Sequence, residues 1–523
     1  MPLATKKFWV IAQKEEAELY TMDTITITFP PVKINVPVEG LTFSALEQSV
    51  FDITQTLGRK VLEKALFDID EHLKITRPKG ALVNTGKRAK YFLTRLGDIR
   101  YKRTRYIDTV TGKSRYLLEE HLGLKKNQRV SLIRAKIEIF IASLTTYRGT
   151  EKDVELLTGY RRSHEAIRQS LIKEAEGIVA HQDASIEKMR RLEDDEAVSD
   201  PPSIAYMEAD SAFIRLQSSR KRVRRSYNTK NGSRRRKRRS IEVKLAIGYT
   251  DKVKRYGSGQ GKSLRLKDKF TYTSIENGRI FMEKLSLIAE KKLSLSRVKA
   301  VIFGGDGGSY ISAGIKDYFV NVIYILCKFH LKRNIKRSLP SMPNAQNRIN
   351  GLLGKDKIDE ALHIVRAFMD RTQDRNNKKS LKDLYTYINQ NRDGINPIKR
   401  IKDKAIRNRI KGSGAMESNV DKFIAHRFKK RGMSWSEKGA LSLLKVRETI
   451  SNGEWDAWWL EGRDQKIEIR PEPIRQLSAK DFWKKGKNTA TLIEATIPAL
   501  RGQDRNEPWA KLLRQISDMD YYK

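Results

Sequence analysis

Lys299 to Arg337 reads KAVIFGGDGGSYISAGIKDYFVNVIYILCKFHLKRNIKR, and its interpretation decides the fold. The apolar run Ala300 to Phe303 is short and contains β-branched residues, which predicts a buried strand. It ends in Gly304-Gly305-Asp306-Gly307-Gly308, placing one carboxylate at the strand's C-terminal tip. Glycines on both sides let another backbone approach that carboxylate. An amphipathic helix is expected over Ile311 to Phe319 and a second buried strand over Val320 to Leu326. Cys327-Lys328-Phe329-His330 and a basic helix follow. Strand, helix and strand with an acid at the tip predict a parallel α/β unit with a site at its carboxyl edge.

Working outward, Ile204 to Asp210 (IAYMEAD) is a second apolar strand with an acid near its end, extended further over Phe213 to Gln217. Glu242 to Tyr249 is the next strand, and Glu276 to Leu293 is an amphipathic helix. Pro340 to Arg409 is polar and helical, with Leu352, Leu353, Ile358, Leu362, Ile364 and Val365 as a modest core. Lys411 to Asn419 (KGSGAMESN) is a glycine turn opening a helix whose first turn carries Glu417. Any one of these acids taken alone is a cap or a surface residue. Together, Asp210, Asp306 and Glu417 occupy the places of the acids in an RNase H-like domain, where they converge at one sheet edge. The expected class is therefore α/β: an RNase H-like catalytic domain with an all-helical insertion, preceded by a mainly helical DNA-binding region with a β-hairpin. Oxygen-only ligands suit Mg²⁺ or Mn²⁺, two ions per site, which act at a phosphodiester.

Composition agrees with a polyanionic partner. Lys and Arg number 105 against 63 Asp and Glu, a formal net charge of +42, and nucleic acid is the default polyanion. The densest basic run is RKRVRRSYNTKNGSRRRKRRS, Arg220 to Ser240. There Arg220, Lys221, Arg222, Arg224, Arg225, Arg234, Arg235, Arg236, Lys237, Arg238 and Arg239 are expected to make sequence-blind phosphate contacts. The alternative is a solvated or localisation-like tract. Lys429, Lys430 and Arg431 form a shorter cluster after Glu417. No apolar run approaches the ~20 residues that span a bilayer, and the first twenty residues do not read as a signal peptide. A single cysteine, Cys327, excludes an internal disulfide framework and cysteine-rich zinc sites and points to a reducing compartment.

The expected organisation is 1–90, a partly helical N-terminal region; 91–125, a basic hairpin; 126–195, a helical region; 203–338, the first part of the catalytic domain; 339–410, the helical insertion; 411–450, the last catalytic part; and 451–523, a basic Trp-containing region. Thr24 to Val36 alternates like a strand pair broken by Pro30-Pro31. Phe43 to Leu73 is helical, with Leu46, Val50, Ile53, Leu57, Val61, Leu66 and Ile69 on one face. Strands at Gly97 to Arg103 and Ser114 to Leu118 flank a turn at Thr111-Gly112; this sheet either contacts nucleic acid or is simply solvated. Glu151 to Leu157, a turn at Gly159-Tyr160 and a helix capped by Ser163 through Ile172 fit a helix-turn-helix, with Arg161, Arg162 and Arg168 on the outer side. A plain helical hairpin fits equally. Asp194 to Pro202 is an acidic linker. Gly257 to Ser263 lacks the first glycine of a phosphate-binding loop, Tyr256 standing there, so it is expected to be a hairpin turn.

The segments YMEADSAFIRLQ (206–217), VIFGGDGGSYI (301–311), CKFH (327–330) and GSGAMESN…RFKKRGMSWS (412–436) resemble the ISLre-two family of bacterial insertion-sequence transposases, itself similar to the Mutator-like group of DDE transposases. The likeness covers roughly Tyr91 to Arg447. It implies that Asp210, Asp306 and Glu417 are the DDE triad. It also implies that Cys327 and His330 are the group's Cys/Asp-x-x-His motif, with His330 near the site to order DNA or the acidic ligands. Ser211 stands where the family usually has glycine. The implied function is binding of element ends, metal-dependent DNA cleavage and 3′-hydroxyl strand transfer. The implied setting is bacterial cytoplasm at the nucleoid, with DNA and at least one further copy of the chain as partners and no membrane. Two alternatives stand: another RNase H-like nuclease of resolvase type, and a non-enzymatic architectural nucleic-acid-binding protein.

Overall fold

The structure, a computed structural model, describes residues 42–78, 80–191, 201–217, 240–254, 264–410 and 415–460. The expectations for residues 1–41, most of the acidic linker, the basic run Arg220 to Arg239, the turn Gly257 to Ser263, the glycine turn Lys411 to Gly414 and the Trp-containing region beyond Leu460 lie outside these residues, as does the Arg431 side chain. The chain divides into two compact units: Met1–Ile137 with Lys152–Arg162 and Glu461–Lys523, and Glu138–Glu151 with Ser163–Leu460.

In the first unit, helix α1 (Phe43–Thr76) lies against an antiparallel sheet of β1 (Leu82–Thr94), β2 (Gly97–Asp108) and the two-residue β3 (Ser114–Arg115), followed by the short helix α2 (Leu117–His121). Leu66, Phe92, Ile99, Tyr101 and Leu118 make its core. The buried face of α1 differs from expectation: Val50 and Val61 are exposed, whereas Thr56, Arg59 and Asp70 are buried. Polar pairing explains it. Arg59 donates to the Leu96 carbonyl at 3.0 Å, and the Asp70 carboxylate accepts from the Thr104 amide and hydroxyl at 3.1 and 2.7 Å. The expected hairpin across Thr111-Gly112 is present, joining β2 to the short β3, and a longer one precedes it: β1 and β2 turn at Arg95-Leu96 and leave the turn through Gly97 (φ 114°). β1 escaped notice because its outer half (LVNTGKRAK) is a solvated edge with no apolar alternation.

Helices α3 (Leu132–Leu144), α4 (Tyr147–Thr158) and α5 (His164–Arg190) follow. The Ser163 cap is present, its hydroxyl accepting from the Ala166 amide. The helix it opens runs 27 residues, well beyond Ile172, and the border between the units falls just before Ser163. α5 buries Ile167, Leu171, Ala175, Ile178 and Ile186 and is a core helix of the second unit. The expected end at Ile172 is thereby corrected: packing within the second unit sets the helix's length.

The second unit is built on a five-stranded sheet in the order β10-β9-β4-β5-β8. Its strands are β4 (Ile204–Arg215), β5 (Ser240–Tyr249), β8 (Phe270–Ser274), β9 (Ala300–Gly305) and β10 (Val322–Leu326). A two-stranded extension of β6 (Asp251–Lys254) and β7 (Leu264–Lys267) lies between β5 and β8 in sequence. β4, β5 and β8 are antiparallel, and β9 and β10 run parallel to β4. Helices α6 (Gly278–Leu293) and α7 (Ser309–Tyr318) cover one face, packing on Ala205, Met207, Ala209, Val301 and Phe303. Because strand side chains alternate, Glu208 and Asp210 point to the opposite face. After β10 come α8 (Lys328–Ser338) and the insertion helices α9 (Pro343–Gly354), α10 (Ile358–Arg371), α11 (Arg375–Gln390) and α12 (Lys404–Arg409). The insertion has its own core, including Ile349, Leu353, Leu362, Val365, Leu384 and Ile388. α13 (Ala415–Val420) continues as a π-helix over Asp421–Lys429, and α14 (Glu437–Ser451) and α15 (Trp455–Leu460) close the unit.

Candidate active site

β9 ends where it is paired with Ala209 of β4, through Gly305, while β4 runs on for six more residues along β5. The step between a strand that stops and one that continues opens the sheet edge. Asp210 and Asp306 are the next residues on each side of that step, and their carboxyl groups are neighbours. Backbone amides orient both: the Ser211 amide donates to Asp210 at 2.7 Å, and the Gly308 amide to Asp306 at 2.9 Å. The turn after Asp306 uses Gly307 at φ +86°, and an added Cβ there would lie 2.6 Å from the Tyr387 ring, so only glycine fits. Ser211 sits in ordinary extended strand, so no glycine is required after the first aspartate.

The insertion holds the Asp306 loop from behind. The Tyr387 hydroxyl donates to the Asp306 carbonyl at 2.7 Å, and the Asn391 amide donates to the Gly307 carbonyl at 3.3 Å. Glu417 arrives on α13, whose start is fixed by Glu208. That buried carboxylate accepts from the Met416 amide at 3.0 Å and from the Tyr249 hydroxyl at 2.8 Å. Glu208 was not anticipated, although its spacing two residues before Asp210 on one strand places both on one face. Tyr387 carries no sequence signal beyond lying in a helix, and Asn391 none beyond following its last turn.

Glu208, Asp210, Asp306, Cys327, His330 and Glu417 line one small hollow of about 20 Å³. It opens into a cleft of about 500 Å³ bordered by Phe213, Phe329, Arg333, Val420 and Lys429. Burial, then the charge of Asp306, pushes the Asp210 carboxyl up to about 7. Two carboxylates held together at low dielectric resist double ionisation, and a divalent cation relieves that repulsion. The donor chemistry thus fits a hard divalent ion between the aspartates. Glu417 shares the hollow, but its carboxylate groups with Cys327 and His330, whose ligand atoms all lie within 4.8 Å of one another.

Of the predicted basic residues, Lys429 lines the cleft and is exposed, and Lys430 is exposed with Asp421 3.7 Å away. Arg161 is exposed and Arg162 half-buried, both in the first unit. Arg168 is bound to Glu165 by two contacts of 2.9 and 2.7 Å. Arg333, unanticipated, stands over the Phe329 ring at 5.6 Å and favours ionised Asp210.

The profile of the uncharacterised protein family UPF0236 matches residues 37–463, which takes in this whole site. The chain belongs to that family. One UPF0236 protein of Caldanaerobacter subterraneus subsp. tengcongensis is 21% identical over 438 residues, 83% of this chain and 85% of that protein. Another from the same organism, whose name carries eleven locus designations, is 21% identical over 415 residues, 79% of each chain. The UPF0236 protein in the vanSb 3′ region of Streptococcus gallolyticus is 23% identical over 411 residues, 77% of this chain and 81% of that protein. Among the described residues, no helix is long and apolar enough to cross a membrane.

Proposed function

We propose that this UPF0236 protein is a DDE transposase of the ISLre-two type that cuts DNA at the ends of its element and joins the freed 3′-hydroxyl to target DNA. The observation that carries the proposal is the pairing of Asp210 with Asp306 at an open sheet edge, with Glu417 delivered to the same hollow. Three further features support it. The strand order, three antiparallel strands followed by two parallel ones, is that expected of an RNase H-like domain. The formal charge of +42 suits a nucleic-acid partner. A relative whose name carries eleven loci of one organism suits a gene that multiplies as a mobile element.

Asp210, Asp306 and Glu417 would hold Mg²⁺ or Mn²⁺, two ions per site. When bound, these ions supply Lewis-acid stabilisation of charge at a phosphodiester. The chain's own work is placement. The Ser211 and Gly308 amides and Tyr387 hold the aspartates, Glu208 holds the helix bearing Glu417, and Lys429 and Arg333 attract the phosphate backbone to the cleft. Joining two element ends requires two sites, so the working form on DNA is at least a dimer, in the bacterial cytoplasm at the nucleoid.

The test is strand joining. Purified protein, Mg²⁺ or Mn²⁺, labelled element ends and plasmid target are compared with Asp306→Asn. Joining lost in the variant while DNA binding persists is the expected result. Cleavage without joining would replace the proposal by a resolvase-type nuclease, and binding without cleavage by an architectural protein.

A further inference from the structure

Cys327 and His330 are unexplained by a pair of hard-ion carboxylates. A thiol and an imidazole are poor ligands for Mg²⁺, which selects oxygen, yet both are turned to the same hollow as Glu417. Cys327 is the N-terminal cap residue of α8, its sulfur facing the Phe329 and His330 backbone amides without a full capping bond, and the His330 side chain lies three residues on, in the first turn. That spacing sets the two side chains next to each other. Glu417 reaches them from α13, so that thiol, imidazole and carboxylate atoms fall within 4.8 Å. His330 is only 9% exposed, and its Nδ1 is buried without a hydrogen-bond partner. A buried ring nitrogen with no partner carries a cost that a ligand would remove.

We propose that Cys327, His330 and Glu417 form a second cation site, selective for a borderline-soft divalent ion such as Zn²⁺ over Mg²⁺, that shares Glu417 with the paired aspartates. Three protein ligands with a fourth position open to the cleft match a four-coordinate zinc set. On binding, the Cys327 thiol releases its proton to solvent and ligates as thiolate. Occupation draws Glu417 away from Asp210 and Asp306, so Zn²⁺ antagonises Mg²⁺-dependent chemistry. This consequence rests on the phosphodiester reading above; the site itself does not.

The experiment uses Co²⁺ as a spectroscopic stand-in on the full chain without DNA. Cys327 is the only cysteine, so any thiolate-to-cobalt charge-transfer band reports that side chain. The expected result is a near-ultraviolet band in the wild type, displaced by Zn²⁺ and not by Mg²⁺. It disappears in Cys327→Ser, and its midpoint weakens by about tenfold or more in His330→Gln and in Glu417→Gln. It persists in Asp306→Asn, whose melting curve also serves as the folding reference. No band at saturating Co²⁺, or a band of equal midpoint in both His330→Gln and Glu417→Gln, overturns the site. Where joining activity is present, Zn²⁺ inhibition that Cys327→Ser relieves supports the sharing of Glu417. Inhibition identical in both proteins overturns that sharing. Absence of joining altogether counts against the transposase and leaves the cobalt result standing.

Discussion

Glu448 and Asp210 are both buried acids of the second unit, 3% and 8% exposed, and the fold treats them in opposite ways. Glu448, on α14, is fully answered. Lys445 lies 3.0 Å from it, Gln182 donates at 2.7 Å, and the Thr273 amide and hydroxyl donate at 2.7 and 2.6 Å. Asp210 has one backbone amide, another carboxylate and only the charge of Arg333, with no hydrogen bond from it, to set against that carboxylate. A buried charge with matched partners ties α5, α14 and β8 together; a buried charge facing its like stores repulsion that only a ligand discharges. The first is architecture and the second is a site.

The largest effect that would sharpen this contrast is on activity. Asp306→Asn should lower strand joining by on the order of 10³-fold or more, as loss of several kcal/mol of cation-derived stabilisation requires. Its thermal midpoint should be equal to or above wild type, because a repulsion has been removed. A variant that loses stability and activity together would make Asp306 structural and break the comparison. Next is Glu448→Ala, which strands Lys445 in the interior. A loss of about 3–5 kcal/mol in the urea unfolding of the second unit is expected, and an unshifted midpoint would show that Glu448 ties nothing together.

The pH response should separate the two acids further. The Asp210 carboxyl is raised to about 7 from its ordinary 3.8, so the folded state holds a proton that the unfolded state has already released. Without divalent cations, stability contributed by that proton is present below about 4 and is lost as pH rises towards 7. The slope reaches at most about 1.4 kcal/mol per pH unit. Denaturant midpoints measured in chelator across this window should fall, and Asp210→Asn should flatten the curve. The smallest effect is Tyr387→Phe. Losing the bond to the Asp306 carbonyl should cost about 1 kcal/mol and reduce joining by about tenfold through a looser aspartate, with DNA binding retained.

The parts of the second unit legible in sequence were those with a local signature. The apolar run before Asp306, its glycines, IAYMEAD and the start of the helix bearing Glu417 each name an element and an acid, and β9, β4 and α13 carry them. What stayed hidden was set by long-range pairing. Glu208 reads as one more polar residue until α13 arrives from more than two hundred positions away. Tyr387 looks like a helix-face aromatic until its hydroxyl meets Asp306. Val50 and Val61 were assigned to a core from period alone, but Arg59 and Asp70 hold α1 by hydrogen bonds that periodicity does not encode. Ser163 is legible as a cap because capping is local. The length of the helix it opens is not, because packing on α14 sustains it.

The bond from Glu208 to the Met416 amide also bears on synthesis. The strand bearing Glu208 leaves the ribosome long before α13 does. Until then that carboxylate has lost water on one side of the sheet and gained the Tyr249 hydroxyl and, at 3.9 Å, the Lys252 ammonium. A chain cut short anywhere in the insertion therefore carries two aspartates but a buried acid that lacks the Met416 amide, a charge-assisted hydrogen bond of about 1.5–3 kcal/mol. If the chain is the transposase proposed above, a product shortened in the insertion would lack Glu417 and fold less stably than the intact protein, so it would be a poor competitor for the same DNA.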